Sequence, residues 1–318
     1  MKPILKVHLT DFWPNFNYTR NFFLTLLSRQ YQLVLSPEDP DILIYSCYGA
    51  DHRNYKCIRI FYTSENQRPD FTACDFAITF DYFDDPRHYR WPLYAYYIDQ
   101  YKSLDLLGPR TREMATEKWQ SKKKFCCMVV SNGHAKKRID FFNHLAQFRP
   151  VDSGGKILNN VGGPVPDKLE FIKDYKFVIA FENSSSNGYT TEKLLEPLMM
   201  DCIPVYWGNP RVGEDFNRNA FLNYSDFRSE EELIKKMLEI ENDPETGINM
   251  LLEPKFPGNK IPESIREENL LRFFQNIIDH RSTIRPVATT FKRHVHYIKR
   301  KIVLAEHYLR SLLGRNFR

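Results

Sequence analysis

The chain has 318 residues, of which 42% are hydrophobic, and carries a formal net charge of +5 at pH 7. This length and composition allow a sizeable buried core and two domains of ordinary size, which excludes a largely disordered chain. Much of the positive charge lies in the C-terminal tail, so the sequence argues against nucleic acid as the partner of the whole protein.

Cysteine usage and the N-terminus indicate the compartment. The six cysteines form no Cys-x-x-Cys pair, and most lie in or beside apolar strands, which favours reduced core thiols over a metal or disulfide framework. Asp11 follows the start too closely to leave room for a secretory apolar region. No apolar run approaches the roughly 18 to 20 residues of a spanning helix. We therefore expect a cytoplasmic protein that is soluble or peripheral.

The first third of the chain alternates strands with a helix. A helix is predicted around Thr19 to Arg29, and apolar, β-prone runs predict the strands Ile4 to Leu9, Gln32 to Leu35, Ile42 to Tyr45, Ile58 to Tyr62 and Phe76 to Phe80. This alternation is typical of an open, largely parallel α/β sheet.

A second α/β pattern begins after a polar, mixed-charge stretch from Gly108 to Lys124. Strand Phe125 to Val130 and helix Ala135 to Gln147 restart the alternation, and helix Ser229 to Glu241 opens with a Ser-x-x-Glu capping box. Residues 153–163 are predicted to form a flexible loop. The restart predicts domains at 1–115 and 116–280, followed by a tail at 281–318.

Residues 175–226 carry the most informative pattern. A buried strand, Phe177 to Phe181, leads through a turn at Gly188 to a helix capped by Thr190 or Thr191, and a second strand, Ile203 to Trp207, completes a βαβ unit. Amide groups at the helix start, together with the adjacent Lys193, favour a phosphate ligand.

Several motifs in this region and before it resemble those of one family. They are FENS at Phe181 to Ser184, GYTTEK at Gly188 to Lys193, PVYWG at Pro204 to Gly208, IFYTSEN at Ile60 to Asn66, the segment Asp75 to Tyr94 and, more loosely, VVSNGHAKKR at Val129 to Arg138. In combination they resemble the bacterial alpha-1,3-fucosyltransferases of glycosyltransferase family ten. The resemblance implies a B-type fold, in which two Rossmann-like domains face each other across a cleft.

The resemblance also implies the reaction. L-fucose would move from GDP-fucose, with inversion, to N-acetylglucosamine of an N-acetyllactosamine-type glycan, giving a Lewis-type product. The N-terminal domain would hold this acceptor and the C-terminal domain GDP-fucose. Three alternatives stay open: an alpha-1,4 or dual-specificity fucosyltransferase, a B-type transferase for another nucleotide sugar, and a non-catalytic glycan-binding protein.

Glu65 is the candidate for the chemistry. It follows strand Ile58 to Tyr62, at the edge of an open α/β sheet where ligands collect. The resemblance assigns the glutamate of this Ser-Glu-Asn element the role of general base, which accepts the proton of the attacking sugar hydroxyl.

The donor-binding residues follow from the same resemblance. Arg138 would contact the diphosphate and Lys193 would neutralise the charge that develops on it. Glu192 would accept hydrogen bonds from the ribose hydroxyls, and Asn183 and Tyr189 would line the pocket near the phosphates and fucose.

Two of these positions leave alternatives. Lys137 precedes Arg138 in a basic run and competes with it for the diphosphate role. Glu182 either counters positive charge on the sugar in the transition state or serves as a structural partner of the amides of its own loop.

A metal cofactor is not expected to be essential. The Asp-x-Asp triplet Asp39-Pro-Asp41 precedes a strand and carries turn residues, so a structural turn is the better interpretation. Arg138, Lys193 and helix amides can neutralise a diphosphate without a cation. The resemblance implies GDP-fucose as the donor substrate, and no cofactor is expected to be required.

Aromatic residues crowd residues 82–101, and they predict the acceptor surface because sugars present flat apolar faces bordered by hydroxyls. Two or three of these rings are expected to contact the acceptor, and many of the others are expected to lie in the core.

The tail has a different pattern. Apolar residues recur at spacings of four and three from Phe291 to Leu312, with lysines and arginines between them. This predicts a basic amphipathic helix that lies on an anionic membrane surface, such as the inner face of the cytoplasmic membrane. Docking on its own domain and pairing with another helix remain alternatives.

Overall fold

The computed structural model describes residues 2–291, which form two compact units. The first unit contains residues 2–79, Phe83–Trp91 and the described chain from Glu267 onward, and the second contains Phe80–Tyr82 and Pro92–Arg266. None of the helices described in this range is long and apolar enough to cross a lipid bilayer. The predicted tail helix falls mainly on residues 292–318, outside the described part of the chain.

Each unit is built on a parallel sheet, which confirms the predicted α/β class. In the first unit the strand order is β2-β1-β3-β4-β5-β6. The strands are β1 (Ile4–Thr10), β2 (Gln32–Leu35), β3 (Ile42–Tyr45), β4 (Ile58–Tyr62), β5 (Phe76–Thr79) and β6 (His88–Arg90). All residues of β3 and β4 are buried, as expected for parallel strands that are covered on both faces.

Two helices of the first unit come from opposite ends of the described chain. Helix α1 (Phe22–Ser28) begins later than predicted because Asn17 Oδ1 accepts hydrogen bonds from two amides in a turn before it and Asn21 caps it. Helix α9 (Glu267–Asp279) buries an apolar face, and its Phe274 ring lies 6.4 Å from that of Phe23 in α1. The chain therefore returns to the first unit after completing the second.

The sheet of the second unit has the order β11-β10-β9-β7-β8, again with every pair parallel. Its strands are β7 (Lys124–Met128), β8 (Val151–Ser153), β9 (Tyr175–Phe181), β10 (Ile203–Trp207) and β11 (Leu222–Asn223). The central strand β9 is almost wholly buried, and it delivers the following loop to the carboxyl edge of the sheet.

Helices cover this second sheet. They are α2 (Leu93–Tyr101), α3 (Arg112–Ser121), α4 (Lys136–Leu145), α5 (Lys168–Ile172), α6 (Glu192–Met199), α7 (Glu230–Asn242) and α8 (Pro244–Leu252). The predicted cap of α7 is present, since Ser229 Oγ accepts from the Glu232 amide. In a regular capping box the Glu232 side chain would accept from the Ser229 amide. Here it accepts from the Arg228 amide, one residue earlier.

The boundaries between the two units do not fall near residue 115, where the sequence predicts one. Helices α2 and α3 belong to the second unit, where the Tyr101 hydroxyl donates to Glu196 over 2.8 Å. The polar stretch that suggested a linker contains α3, and that helix buries Ala115 and Trp119. A packed helix with many charged residues on its exposed face can therefore have a sequence similar to that of a linker.

The segment predicted as a flexible loop is irregular but is held by hydrogen bonds. Asn160 Oδ1 accepts from the Ser153 amide over 2.7 Å, and Ser153 Oγ donates to the Ile157 carbonyl over 2.6 Å. A Cβ atom on Gly155 would lie 2.0 Å from the carbonyl oxygen of Val130, so the glycine allows the close approach of two backbones.

We predict that Trp119→Ala destabilises the second unit by about 3–5 kcal/mol, because a large core side chain packed against Gly247 would leave a cavity. Met114 lies on the same helix and is 44% exposed, so Met114→Ala serves as the matched control and should change stability little. Urea unfolding followed by circular dichroism measures both. Equal losses in the two variants would contradict this account of the core.

Candidate active site

The loop between β9 and α6 is fixed by helix capping. Thr191 has extended backbone angles, and its Oγ1 accepts from the Lys193 amide over 3.3 Å, so Thr191 is the N-cap and α6 begins at Glu192. Strand β10 pairs parallel with β9, which confirms the predicted βαβ unit. The first turn of α6 therefore lies at the carboxyl edge of the sheet.

Gly188 shapes the turn that leads into this helix. Its φ is +83°, in the left-handed region, and a Cβ atom there would lie 2.3 Å from the Phe80 carbonyl oxygen. Both the backbone conformation and the close contact require glycine. Its amide donates to Asn209 Oδ1 over 2.7 Å, which ties the turn to the segment after β10.

Glu182, the first residue after β9, is fully buried. One carboxylate oxygen accepts from the Thr191 amide and the other from the Thr191 hydroxyl, each over 2.8 Å. Burial raises the pKa of Glu182, and Lys193, whose Nζ lies 3.5 Å away, opposes that rise. Of its two predicted roles, this geometry favours the structural partner of the loop.

Lys193 occupies the first turn of α6 among three oxygen-bearing side chains. Its Nζ lies 3.2 Å from both Glu192 Oε1 and Thr191 Oγ1, in addition to the contact with Glu182. Burial favours the neutral amine, but the carboxylates of Glu192 and Glu182 outweigh it and raise the pKa of Lys193. The lysine is therefore a cation at neutral pH, and 17% of its side chain remains accessible.

Arg138 lies in the first turn of α4 and is only 1% exposed. Its guanidinium donates to the Phe181 carbonyl over 2.9 Å and to Asn183 Oδ1 over 3.0 Å, so it joins the end of β9 to a predicted donor-binding residue. Among the described residues, its buried Nε has no hydrogen-bond partner. Burial lowers the pKa of Arg138, against the attraction of Glu182 and Glu192.

Lys137, the alternative to Arg138, has a different environment. Its Nζ lies 3.9 Å from the centroid of the Tyr224 ring and 5.6 Å from that of Trp207. The ammonium is thus held by cation–π contacts. It is Arg138, and not Lys137, that the structure brings together with Asn183.

Tyr189 is 3% exposed, and its ring meets that of Phe80 edge to face at 5.0 Å. Its amide donates to the Ser186 carbonyl. The side chain belongs to the packed wall of the loop.

Sequence reasoning missed Asn209. This buried side chain accepts from the Gly188 and Arg211 amides and donates to Thr190 Oγ1 over 3.0 Å. It stands two residues beyond the end of β10, as Glu182 stands one beyond β9. Polar side chains just past adjacent parallel strands are the signal that would have identified it.

In the first unit, Glu65 lies three residues beyond β4, at the carboxyl edge as predicted. Its amide donates to Thr63 Oγ1 over 3.0 Å, and its half-buried carboxylate accepts from the Tyr48 hydroxyl over 2.7 Å.

The predicted aromatic surface contains core residues, as expected. Trp91 and Tyr94 are 1% and 0% exposed, and the Tyr94 hydroxyl donates to Asp215 over 2.8 Å. Phe83 is 44% exposed, so a ring of this stretch does remain open to solvent.

Possible metal ligands do not gather in the described chain. No three His, Cys, Asp or Glu side chains within residues 2–291 could hold an ion together. Asp41 accepts from the Lys6 amide and Asp39 pairs with the Lys6 ammonium, each over 2.9 Å, so this triplet ties a turn to β1.

A cavity of about 530 Å³ lies elsewhere in the second unit. Lys122, Asp174 and Asp201 line it, and they precede β7, β9 and β10 by one or two residues. The cavity is therefore at the amino ends of the strands, opposite to the edge where ligands of open α/β sheets bind.

Two family descriptions match the chain. "Alpha-(1,3)-fucosyltransferase FucT N-terminal domain" matches residues 7–97, and "Glycosyltransferase family 10 (fucosyltransferase) C-term" matches residues 119–248. The second match contains the whole β9-to-α6 segment and the first contains Glu65.

Among curated relatives, the chain is 29% identical over 322 residues to alpha-(1,3)-fucosyltransferase FucT of Helicobacter pylori, covering 87% of this chain and 66% of the relative. It is 32% identical over 111 residues to alpha-(1,3)-fucosyltransferase B of Drosophila melanogaster, covering 31% of this chain and 25% of that protein. The chain thus spans less than two thirds of the length of either relative.

Solved structures of fucosyltransferases have a fold similar to that of this chain. A crystal structure of alpha1,3-fucosyltransferase with GDP is 28% identical, with a TM-score of 0.75 over 87% of this chain and 91% of the other. A second crystal structure, of alpha1,3-fucosyltransferase with GDP-fucose, is 27% identical to this chain. Its TM-score is 0.75, and the match covers 90% of this chain and 93% of the other. With both family descriptions matched in order along the sequence, the chain belongs to glycosyltransferase family 10, the fucosyltransferases.

Proposed function

We propose that this protein is an inverting alpha-1,3-fucosyltransferase that transfers L-fucose from GDP-fucose to N-acetylglucosamine of N-acetyllactosamine-type glycans. The observation that carries the proposal is the first turn of α6, where the Lys193 ammonium stays cationic and partly accessible at the helix N-terminus, at the carboxyl edge of a parallel sheet. Structural neighbours of this chain were solved with GDP and with GDP-fucose.

The diphosphate is the group that this turn suits. Helix amides and an ammonium stabilise an anion through partial and full charge, and the leaving group gains negative charge as the glycosidic bond breaks. Arg138 would support the same site through Asn183 and through its buried Nε, which has no hydrogen-bond partner in the described part of the chain. With these groups supplying the positive charge, the reaction has no need of a resident metal.

Glu192 and Tyr189 complete the donor site. Glu192 is the first residue of α6, and the attraction of Lys193 lowers its pKa against the effect of burial. An ionised carboxylate at that position can accept hydrogen bonds from the ribose hydroxyls. Tyr189, whose ring packs against Phe80, would form part of the pocket wall.

Glu65 is the general base of the proposed reaction. The acceptor hydroxyl oxygen forms a bond to the anomeric carbon of fucose while its proton passes to the Glu65 carboxylate. The bond between that carbon and the phosphate oxygen breaks, and GDP leaves with the electron pair. Attack from the face opposite GDP inverts the configuration.

The acceptor and the location are proposals from the sequence. The alpha-1,3 names of the matched family description and relatives support the 3-hydroxyl of N-acetylglucosamine as the target. The excess of lysine and arginine in residues 292–318 supports a peripheral position at an anionic membrane surface on the cytoplasmic side.

We predict that Glu65→Gln lowers kcat by roughly 10²-fold or more while GDP affinity stays the same, because the amide cannot accept the hydroxyl proton. Transfer of labelled fucose to N-acetyllactosamine measures kcat, and calorimetric titration measures GDP affinity. Glu38 is an exposed carboxylate of the same unit, and Glu38→Gln is the control. Unchanged turnover in the Glu65 variant would remove this residue from the role.

We predict that Lys193→Ala weakens GDP binding by roughly 10²-fold, since the charged donor to the diphosphate is lost. Lys235→Ala, at a side chain that is 77% exposed, should have no effect. Lys193→Ala also leaves the buried Glu182 without its cation, so its melting temperature should fall.

A double variant separates these two effects. Adding Glu182→Gln to Lys193→Ala removes the unpaired buried charge and should restore part of the thermal stability, but it should not restore GDP binding. If GDP affinity recovers together with stability, Lys193 acts on the fold and not on the donor.

A further inference from the structure

The carboxylate of Glu65 is fixed by one neighbouring side chain. Its Oε1 accepts a hydrogen bond of 2.7 Å from the Tyr48 hydroxyl, whereas Oε2 has no hydrogen-bond donor among the described residues. The backbone of Glu65 is held separately, since its amide donates to Thr63 Oγ1 and its carbonyl accepts from the Gln67 amide over 2.6 Å. Without Tyr48, the side-chain torsions would leave the carboxylate without a defined direction.

Tyr48 is itself held by residues that follow strand β1. Its amide donates to the Asp11 carbonyl over 3.0 Å, and its ring meets Trp13 at 6.3 Å with an interplanar angle of 73°. The ring is 43% exposed, so the hydroxyl reaches the carboxylate at the surface of the unit.

Asp11 anchors the loop that follows Tyr48. It has a left-handed φ of +61°, and its buried carboxylate accepts from the Asp51 and His52 amides, each over 2.9 Å, and pairs with His52 Nδ1 at 2.6 Å. Burial opposes the ionised form, but the bonds from His52 and Asp51 lower the pKa of Asp11. A Cβ atom on Gly49 would lie 2.2 Å from Asp11 Oδ1, so the residue after Tyr48 packs directly on this anchor.

This arrangement suits a proton acceptor. Burial and the hydrogen bond to Glu65 raise the pKa of Tyr48, so the phenol remains a donor over the neutral range. A hydrogen bond from Ser64 opposes this rise in the pKa of Tyr48, and the charge of Cys47 adds to it. The hydrogen bond to Oε1 leaves Oε2 to receive the proton.

We propose that Tyr48 is a positioning residue for the reaction: it orients the Glu65 carboxylate so that Oε2 meets the acceptor hydroxyl. The inference rests on the proposed function, since Tyr48 acts only through Glu65. It assigns a purpose to the 46–52 loop, which the sequence motifs of the family did not cover.

The test begins with Tyr48→Phe, which removes the hydroxyl and keeps the ring. We expect kcat to fall roughly tenfold, the value for losing one charge-assisted hydrogen bond, with the KM for GDP-fucose unchanged. Tyr55→Phe is the control, since the Tyr55 hydroxyl makes no hydrogen bond within the described chain.

A double-variant cycle tests whether Tyr48 acts through Glu65. In the Glu65→Gln background, Tyr48→Phe should cause no further loss of turnover. Independent, multiplying losses would overturn the inference, and so would a Tyr48→Phe enzyme with normal kcat.

A measurement without turnover separates this inference from the proposed function. The carbon-13 resonance of the Tyr48 ring carbon that bears the hydroxyl, assigned by its loss in Tyr48→Phe, should shift in Glu65→Gln and not in Glu38→Gln. A resonance that does not respond overturns the pairing. A responsive resonance in a wild-type protein that transfers no fucose overturns the proposed reaction and leaves the pairing established.

Discussion

The buried carboxylate of Glu182 is the interaction on which the second unit's site depends. It accepts two hydrogen bonds from Thr191, the cap of α6, and it lies 3.5 Å from the ammonium of Lys193. A fully buried anion is costly unless it is paired and hydrogen-bonded. Here the groups that satisfy it are those that set the start of α6, so one carboxylate fixes both the helix terminus and the cation beside it.

The first unit uses the same principle at its own carboxyl edge. Asp11, just past β1, ties down the loop that carries Tyr48, and Tyr48 in turn holds the side chain of Glu65 beyond β4. In both units, then, a buried carboxylate just past one strand organises a loop. Glu182 fixes the loop that leads to Lys193, and Asp11 fixes the loop whose Tyr48 holds Glu65. Glu182 and Asp11 are supports in this scheme, while Lys193 and Glu65 are the groups proposed to meet substrate.

Strands and local caps were predictable, whereas long-range packing was not. Buried parallel strands such as β3, β4 and β9 are continuous apolar runs, and the Thr-Thr-Glu-Lys sequence indicated a helix start, so the location of Glu65 and of α6 followed. The return of α9 to the first unit depends on contacts with α1 more than 200 residues earlier, which composition does not encode. The sequence assigned Arg138 the diphosphate role, in competition with Lys137, but it did not predict that Arg138 is buried and donates hydrogen bonds to the Phe181 carbonyl and to Asn183. The Tyr48 contact with Glu65 likewise depends on the register of β3 beside β4.

A crystal structure of this protein with GDP bound would show whether the start of α6 holds the diphosphate. We expect the diphosphate to contact Lys193 Nζ at the start of α6, at the carboxyl edge of the second sheet. A nucleotide found at the opposite edge, in the cavity lined by Arg110 and Lys118, would contradict this expectation.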